Sequence, residues 1–325
     1  MILVIGEALI DLIESRETKG QFQAVVGGAN ANVALALARR GTDHQFLARI
    51  SSDRFGILIK ERLSSNNVNL DHIINTDEPT TLAVISVNAQ GSPTYNFYTN
   101  GTADWGWTKE ELPTKEQVKA LGANAISFGC LTMAMEPGNH VIEAWAKELQ
   151  NNLTISHDIN IRAALGFDRD KERVRVERIN SFSHIIKASD EDIEWLYDLA
   201  PDTDVSPIIN NWIQDTNKIV LLTRGSRGTR IYRNNQTIDL PARKITVVDT
   251  VGAGDTFVAN LLGQLDDNNY LGENALTKLE TLTNEDLAEY VRISGIAASI
   301  ACERAGCEPP TKSQLESFIG LQDPL

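Results

Sequence analysis

From residue 43 onward, short apolar runs alternate with helical blocks, and this alternation leaves few architectures open. Gln45 to Ile50 reads as a short strand and Arg54 to Ser64 as a helix. Ala125 to Gly129 is a strand, and Pro137 to Gln150 is a helix with Val141, Ile142 and Trp145 on one face. Leu153 to His157, Ile185-Ile186 and Lys218 to Thr223 add strands. Asp190 to Leu199, capped by Ser189, and Thr256 to Leu265 add helices. Strands alternating with helices mean βαβ units, hence a mainly parallel sheet with helices on both faces. The first five residues fit this pattern as an apolar run ended by Gly6, a strand buried on both sides.

Other segments differ. Residues 20–26 and 80–88 are strand-like, and Thr81 to Val87 and Pro93 to Thr99 are rich in β-branched and aromatic residues. With turn chemistry at Gln90-Gly91-Ser92-Pro93, they form an antiparallel pair outside the parallel core. Gly27 to Arg40 is an Ala-rich helix ended by Gly41. Asp168 to Arg178 is a charge run expected to be a solvated helix face, and Asp266 to Asn284 a surface loop with a short helical piece. No internal repeat or low-complexity linker divides the 325 residues, so one α/β core with a small β appendage is expected.

The 44 acidic against 30 basic side chains, a net charge of −14, argue against nucleic-acid and anionic-membrane partners. A local basic pocket for a small phosphate remains open. Cys130, Cys302 and Cys307 form no C-x-x-C and have no nearby His, which disfavours a disulfide framework or a zinc site. The chain has no signal-peptide pattern and no long apolar run, so a cytoplasmic protein is expected. The phosphate loop ending in Gly-Lys, H-E-x-x-H, G-x-S-x-G and G-x-G-x-x-G are all absent.

Two constellations carry chemistry. In Val247 to Phe257, a strand-like Ile245 to Val248 runs into Gly252-Ala253-Gly254, and a helical pattern starts at Asp255. Small residues let successive N–H groups face one anion at a helix N-terminus, as a transferring phosphoryl group needs. Asp255 beside that hole could accept a proton from an attacking hydroxyl, or merely cap the helix. In Val25 to Val33, Gly27 and Gly28 allow close backbone approach, while Asn30 and Asn32 suit hydroxyls or cap a helix entry. Asp11 adds a carboxylate for hydroxyl hydrogens.

Together, Gly27-Gly28-Ala29-Asn30-Ala31-Asn32 and Asp249-Thr-Val-Gly-Ala-Gly-Asp255 resemble the two signatures of the PfkB (ribokinase-like) carbohydrate kinases, in matching order and separation. The likeness runs from Val4 to Gly306. It implies a ribokinase-like three-layer α/β sandwich with a mainly parallel central sheet and a small β-sheet lid. The core would be residues 1–10, 28–79 and 101–325, and the lid 11–27 and 80–100. It implies Asp255 as catalytic base, with the amides of Gly252, Ala253 and Gly254 as anion hole. Asp11, Gly28 and Asn32 would bind sugar hydroxyls. Thr223, Gly225 and Gly228, in a strand and turn like the family's, would contact ATP. The family's Asn-x-x-Glu motif falls on Ser189-Asp190-Glu191-Asp192, which places Ser189 at the nucleotide and Asp192 at Mg²⁺ through water. Lys187 would lie near the phosphates or be a surface lysine. A monovalent cation, K⁺, could sit at Asp249 and the Val251 carbonyl, with further ligands around Ala305 and Gly306.

Within the family, Gly101-Thr102-Ala103-Asp104-Trp105 and Asp158-Ile159-Asn160-Ile161-Arg162 resemble the bacterial fructokinases. Asn160 could read hydroxyls. Arg162 could bind a substrate oxygen, a γ-phosphate or an acid sugar's carboxylate, or form a buried ion pair. Tyr95, Phe97 and Tyr98 would pack the lid, a homodimer contact through it, or the sugar. Fructose is favoured over 2-keto-3-deoxygluconate, whose carboxylate would need Arg162 and Arg39 or Arg40. A nucleoside kinase and a non-catalytic sugar sensor are the rivals.

Overall fold

The computed structural model describes residues 1–15, 17–87, 93–214 and 216–322. The turn expected at Gln90 to Pro93 falls mostly among residues 88–92, outside the described residues, as does the side chain of Tyr95.

An eight-stranded sheet runs β14-β13-β12-β11-β10-β9-β1-β4. Its strands are β1 (Ile2–Ile5), β4 (His44–Leu47), β9 (Ala125–Gly129), β10 (Thr154–Asp158), β11 (Ile185–Ser189), β12 (Ile219–Thr223), β13 (Thr229–Arg233) and β14 (Gln236–Leu240). From β4 to β12 every pair is parallel, and β13 and β14 return antiparallel. Side chains alternate across it, as period two requires. Ile2 and Val4, with Ile219 and Leu221, face one core; Leu3 and Ile5 face a second, and Val220 and Leu222 a third. Onto the first side pack α1 (Ala29–Arg40), α2 (Arg54–Ser64), α9 (Ala253–Asp267), α10 (Ala275–Thr281) and α11 (Asn284–Cys302). The other side receives α3 (Lys115–Ala120), α5 (Gly138–Leu149), α6 (Arg169–Phe182), α7 (Asp190–Tyr197) and α8 (Ser206–Ile213). Two elements remain: α4 (Cys130–Ala134) follows β9, and α12 (Lys312–Gln322) packs on α11. Three layers result, as expected.

A separate four-stranded sheet, β3-β2-β7-β8, comprises β2 (Leu9–Glu14), β3 (Phe22–Gly27), β7 (Leu82–Val87) and β8 (Pro93–Tyr98). The expected antiparallel pair is β7 with β8, in register Leu82 to Tyr98. Among the described residues, no helix is long and apolar enough to cross a membrane.

Four expectations need correction. Ile245 to Val248 is not a strand; its apolar side chains Val247 and Val248 are 57% and 61% exposed, and the Val248 and Asp249 amides donate to the Cys302 carbonyl. Gln45 to Ile50 is two strands, because the chain leaves the main sheet after Leu47 and β5 (Arg49–Ser51) pairs with β6 (Ile74–Thr76). The charge run on α6 is not wholly solvated, since Glu172 and Arg175 form a buried ion pair. Residues 266–284 are more than a loop, because Leu271, Ala275, Leu279 and Leu282 are core.

The passage between the two sheets is tied by one carboxylate. Asp104 accepts from the Ala8 amide at 2.9 Å and from Thr81 Oγ1 at 2.5 Å, joining the start of β2, the start of β7 and the exit from β8. Burial raises its pKa to about 7, against the lowering effect of those two hydrogen bonds. The folded state therefore holds this proton more tightly than the unfolded chain. Stability at this site is full below the ordinary aspartate range and is lost as pH rises toward 7, by roughly 4 kcal/mol in all. Asp104→Asn keeps an acceptor and cannot ionise. Urea unfolding should find it less pH-dependent than the parent over pH 4–8, and parallel profiles would contradict this assignment.

Candidate active site

In an open α/β sheet, ligands gather outside the carboxyl ends of the strands, near the point where the strand order reverses. Here β1 leads outward to β4 on one side, while β9 to β12 continue on the other. At that end lie Gly6 after β1 and Gly129 and Asp158 ending β9 and β10, together with the sequence-selected Lys187 and Ser189 on β11 and Thr223 ending β12.

Helix α9 brings its N-terminus to the same place. Gly252 is its N-cap at φ +77°, a left-handed conformation suited to glycine. A Cβ there would lie 2.3 Å from Cys307 Sγ, so the turn needs glycine for space as well. An anion site is expected where the first turn of α9 begins, at the N–H groups of Gly252, Ala253 and Gly254; of these, the Ala253 amide donates to the Thr250 carbonyl at 3.2 Å. Asp255, in that turn, is 5% exposed. Burial lifts its pKa to about 7; the Asn32 hydrogen bond opposes this, Asp158 adds to it, and Arg162 and Lys187 oppose it. A carboxylate poised near neutrality can take and return a proton. Lys187 is buried, which removes its reading as a surface lysine, and it pairs with Asp158 Oδ1 at 2.9 Å. Its Nζ lies 2.9 Å from where a Cβ on Gly254 would stand, against the first turn of α9.

The Gly-Gly-Ala-Asn segment enters from α1, which packs along α9. Asn32 Nδ2 donates to Asp255 Oδ2 at 2.8 Å, so Asn32 orients the carboxylate as well as lining the cleft. Gly28, the N-cap of α1 at φ +106°, passes so close to the Glu7 carbonyl that a Cβ would come within 2.6 Å. Asp11 on β2 lies over Gly27, and its carboxyl is pushed up to about 6, mainly by burial, with Arg162 opposing and Asp249 adding. The side chain of Arg162 reaches Cys130 Sγ at 3.4 Å, and the residue is exposed. It makes no ion pair among the described residues, so the buried-pair alternative does not hold. Asn160 adopts φ +42° in the turn between Asp158 and Arg162.

Glu7 was missed as a structural anchor. It accepts from the Ala29 amide at 2.9 Å, from Asn30 Nδ2 at 2.8 Å and from Thr132, so it fixes the entry of α1. Its place after the β1 glycine was the only sequence signal. Arg39 and Arg40 stay outside the site; Arg39 pairs with Glu308, and Arg40 with Asp267.

At the other flank, Thr223 Oγ1 donates to the Ala188 carbonyl, and Gly225 and Gly228 take positive φ in the following turn. Ser189 and Asp192 form a capping box at the start of α7. Asp192 Oδ2 accepts from the Ser189 amide and Oδ1 from the Ile161 amide, both at 2.7 Å. Asp249 accepts from the Val251 amide at 3.0 Å and the Gly306 amide at 2.9 Å, bringing together the two segments expected at a monovalent cation. No group of three or more His, Cys, Asp or Glu among the described residues could hold a metal ion alone. A concavity of about 480 Å³ lined by Leu47, Ile74 and Leu121 contains none of these groups.

Residues 1–314 match the family model described as pfkB family carbohydrate kinase. The chain belongs to this family. It is a sugar kinase, a phosphotransferase with an alcohol group as acceptor. A fructokinase from Rhizobium leguminosarum bv. trifolii is 34% identical over 86% of this chain and 84% of its own length. The kinase also resembles the crystal structure of fructokinase from Xylella fastidiosa with bound ATP (TM-score 0.86, 24% identity, 99% and 98% of the two chains). Aminoimidazole riboside kinase from Salmonella enterica, solved with its riboside and an ATP analog, matches at TM-score 0.78 and 20% identity, covering 98% and 99%. At those identities the two structures bear on the fold alone.

Proposed function

We propose that the kinase is an ATP-dependent fructokinase. The Asp255 carboxylate, held by Asn32 in the first turn of α9 and close to the Lys187 ammonium, carries this reading. Asp255 takes the proton from a sugar primary hydroxyl as its oxygen attacks the γ-phosphorus of ATP. The amides of Gly252, Ala253 and Gly254 and Lys187 hold the negative charge of the transferring group. Asp11, Gly28, Asn32, Asn160 and Arg162 bind the sugar. Ser189, Thr223, Gly225 and Gly228 line the nucleotide. Residues 11–27 and 80–100 act as a lid that excludes water, and the exposed faces of Phe22 and Tyr98 could serve a homodimer.

Mg²⁺ fits only as an ion carried by the phosphates. Asp192 already accepts two backbone amides, so it would reach the ion through water with its remaining lone pairs. Bound with ATP, the ion would neutralise phosphate charge. K⁺ at Asp249 and the Val251 carbonyl would brace the anion-hole loop from behind. Turnover in potassium should exceed turnover in tetramethylammonium, and equal rates would remove that site.

Fructose is favoured over 2-keto-3-deoxygluconate because only Arg162 is left to meet a carboxylate, and β8 carries no Arg or Lys. An ADP-release assay with fructose, 2-keto-3-deoxygluconate, ribose and adenosine, together with calorimetric titration, tests the choice. Fructose should turn over fastest. Tighter binding and faster turnover of the keto-acid would overturn fructose, a preference for adenosine would favour the nucleoside kinase, and no ADP release at all would favour the sensor.

A further inference from the structure

The Asp-x-Asn-x-Arg segment contains one carboxylate to which the reaction above gives no task. Asp158 ends β10, and the parallel register sets it between Gly129 of β9 and Lys187 of β11. Register neighbours point to the same face of a sheet, so carboxylate and ammonium meet by construction. Lys187 Nζ stands 2.9 Å from Asp158 Oδ1 and 3.1 Å from Oδ2. The neighbour on the other side is Gly129, where a Cβ would come 1.9 Å from the Asp158 backbone carbonyl, so the two strand ends approach this closely only because that position is glycine.

An ammonium is not at ease in this position. The N-terminus of a helix carries positive partial charge, and Lys187 is pressed against the first turn of α9 at Gly254. Lysine also has a long flexible stem that would let it swing away. A fixed anion beside it resolves both difficulties. Burial alone would lower the Lys187 pKa, yet the charges of Asp158 and Asp192, the Asp158 hydrogen bond and Asp255 hold it raised.

We propose that Asp158 is a positioning residue: it anchors Lys187 over the N-terminus of α9, where the transferring phosphoryl group must sit, and through that contact sets a second carboxylate beside Asp255. The second half rests on Asp255 being the base. Asp255 is faced by Asn32 from α1, Asp158 from β10, Arg162 from the following turn and Lys187 from β11. The thiols of Cys130 and Cys307 also lie nearby, both pushed up by burial, Cys130 to about 12. Among these, Asp158 is the other carboxylate, and its like charge is what opposes the two cations.

Two variants separate its roles. Asp158→Asn removes the charge, so ATP affinity by calorimetry should fall about tenfold. The acid limb of kcat/KM for the sugar should move about one pH unit lower. Asp158→Glu keeps the charge but displaces the anchor, so ATP affinity should fall while the acid limb stays within a few tenths of a unit. A purely structural role would lower thermal stability and activity without moving the limb. An unmoved limb or unchanged ATP affinity in the Asn variant overturns the proposal. If the Asn variant does not fold, unchanged ATP affinity in the Glu variant does so. Should Asp255→Asn retain turnover, the base assignment fails, while the ATP titrations still decide whether Asp158 anchors Lys187.

Discussion

Asp255→Asn should lower kcat by about 10²–10⁴ while leaving sugar affinity within a few-fold. The amide removes the basic oxygen and little else. Its oxygen can still accept from Asn32 Nδ2, so the bond between α1 and α9 and the wall of the sugar site survive. The loss then falls on the step in which the hydroxyl gives up its proton. In the parent enzyme only the ionised carboxylate can receive that proton. With its pKa near 7, kcat/KM should rise with pH through about 7 and level off above it. The variant should lose this acid limb together with its turnover. Rapid-quench or coupled ADP-release kinetics over pH 5.5–9, with calorimetric sugar titration, measures both. Near-full turnover in the variant would make the assigned base wrong.

Sequence alone exposed what depends on residue type at short range. Gly252-Ala253-Gly254-Asp255 is legible because an anion site needs small residues at a helix entry and a carboxylate one step inside. Alternating apolar strands and helices likewise disclosed the three layers. What stayed hidden depends on distance along the chain. Asn32 and Asp255 are 223 residues apart, and only the packing of α1 on α9 joins them. Lys187 was indistinguishable from a surface lysine because its burial follows from strand register with Asp158 across a crossover. The β-branched Ile245 to Val248 run misled for the opposite reason. Such composition reports fit to a pleated surface, and here the backbone finds its partner in the Cys302 carbonyl at the end of α11. Arg39 and Arg40, near a substrate motif in sequence, are turned away by Glu308 and Asp267, which no local pattern announces.

Gly252→Ala should cost about 10²-fold in kcat/KM for ATP, through two separable effects. The residue holds φ +77°, which charges a side chain about 1–2 kcal/mol of backbone strain. The added Cβ would also stand 2.3 Å from Cys307 Sγ and 2.9 Å from its Cβ, so the loop or the 305–308 segment must move. That segment is not free to yield. The Gly306 amide donates to Asp249, and Glu308 is clasped by Arg39 and Arg62. The loop therefore gives way, and the amides proposed to face the phosphoryl group turn with it. Since transition-state stabilisation by an amide depends on its aim, a shift of a few tenths of an ångström at Ala253 and Gly254 suffices. Combining Gly252→Ala with Cys307→Gly takes away the obstructing atoms and leaves the strain. The pair should recover part of the lost ATP kcat/KM, about tenfold. No recovery would mean that strain at φ +77°, not contact with Cys307, governs the loop.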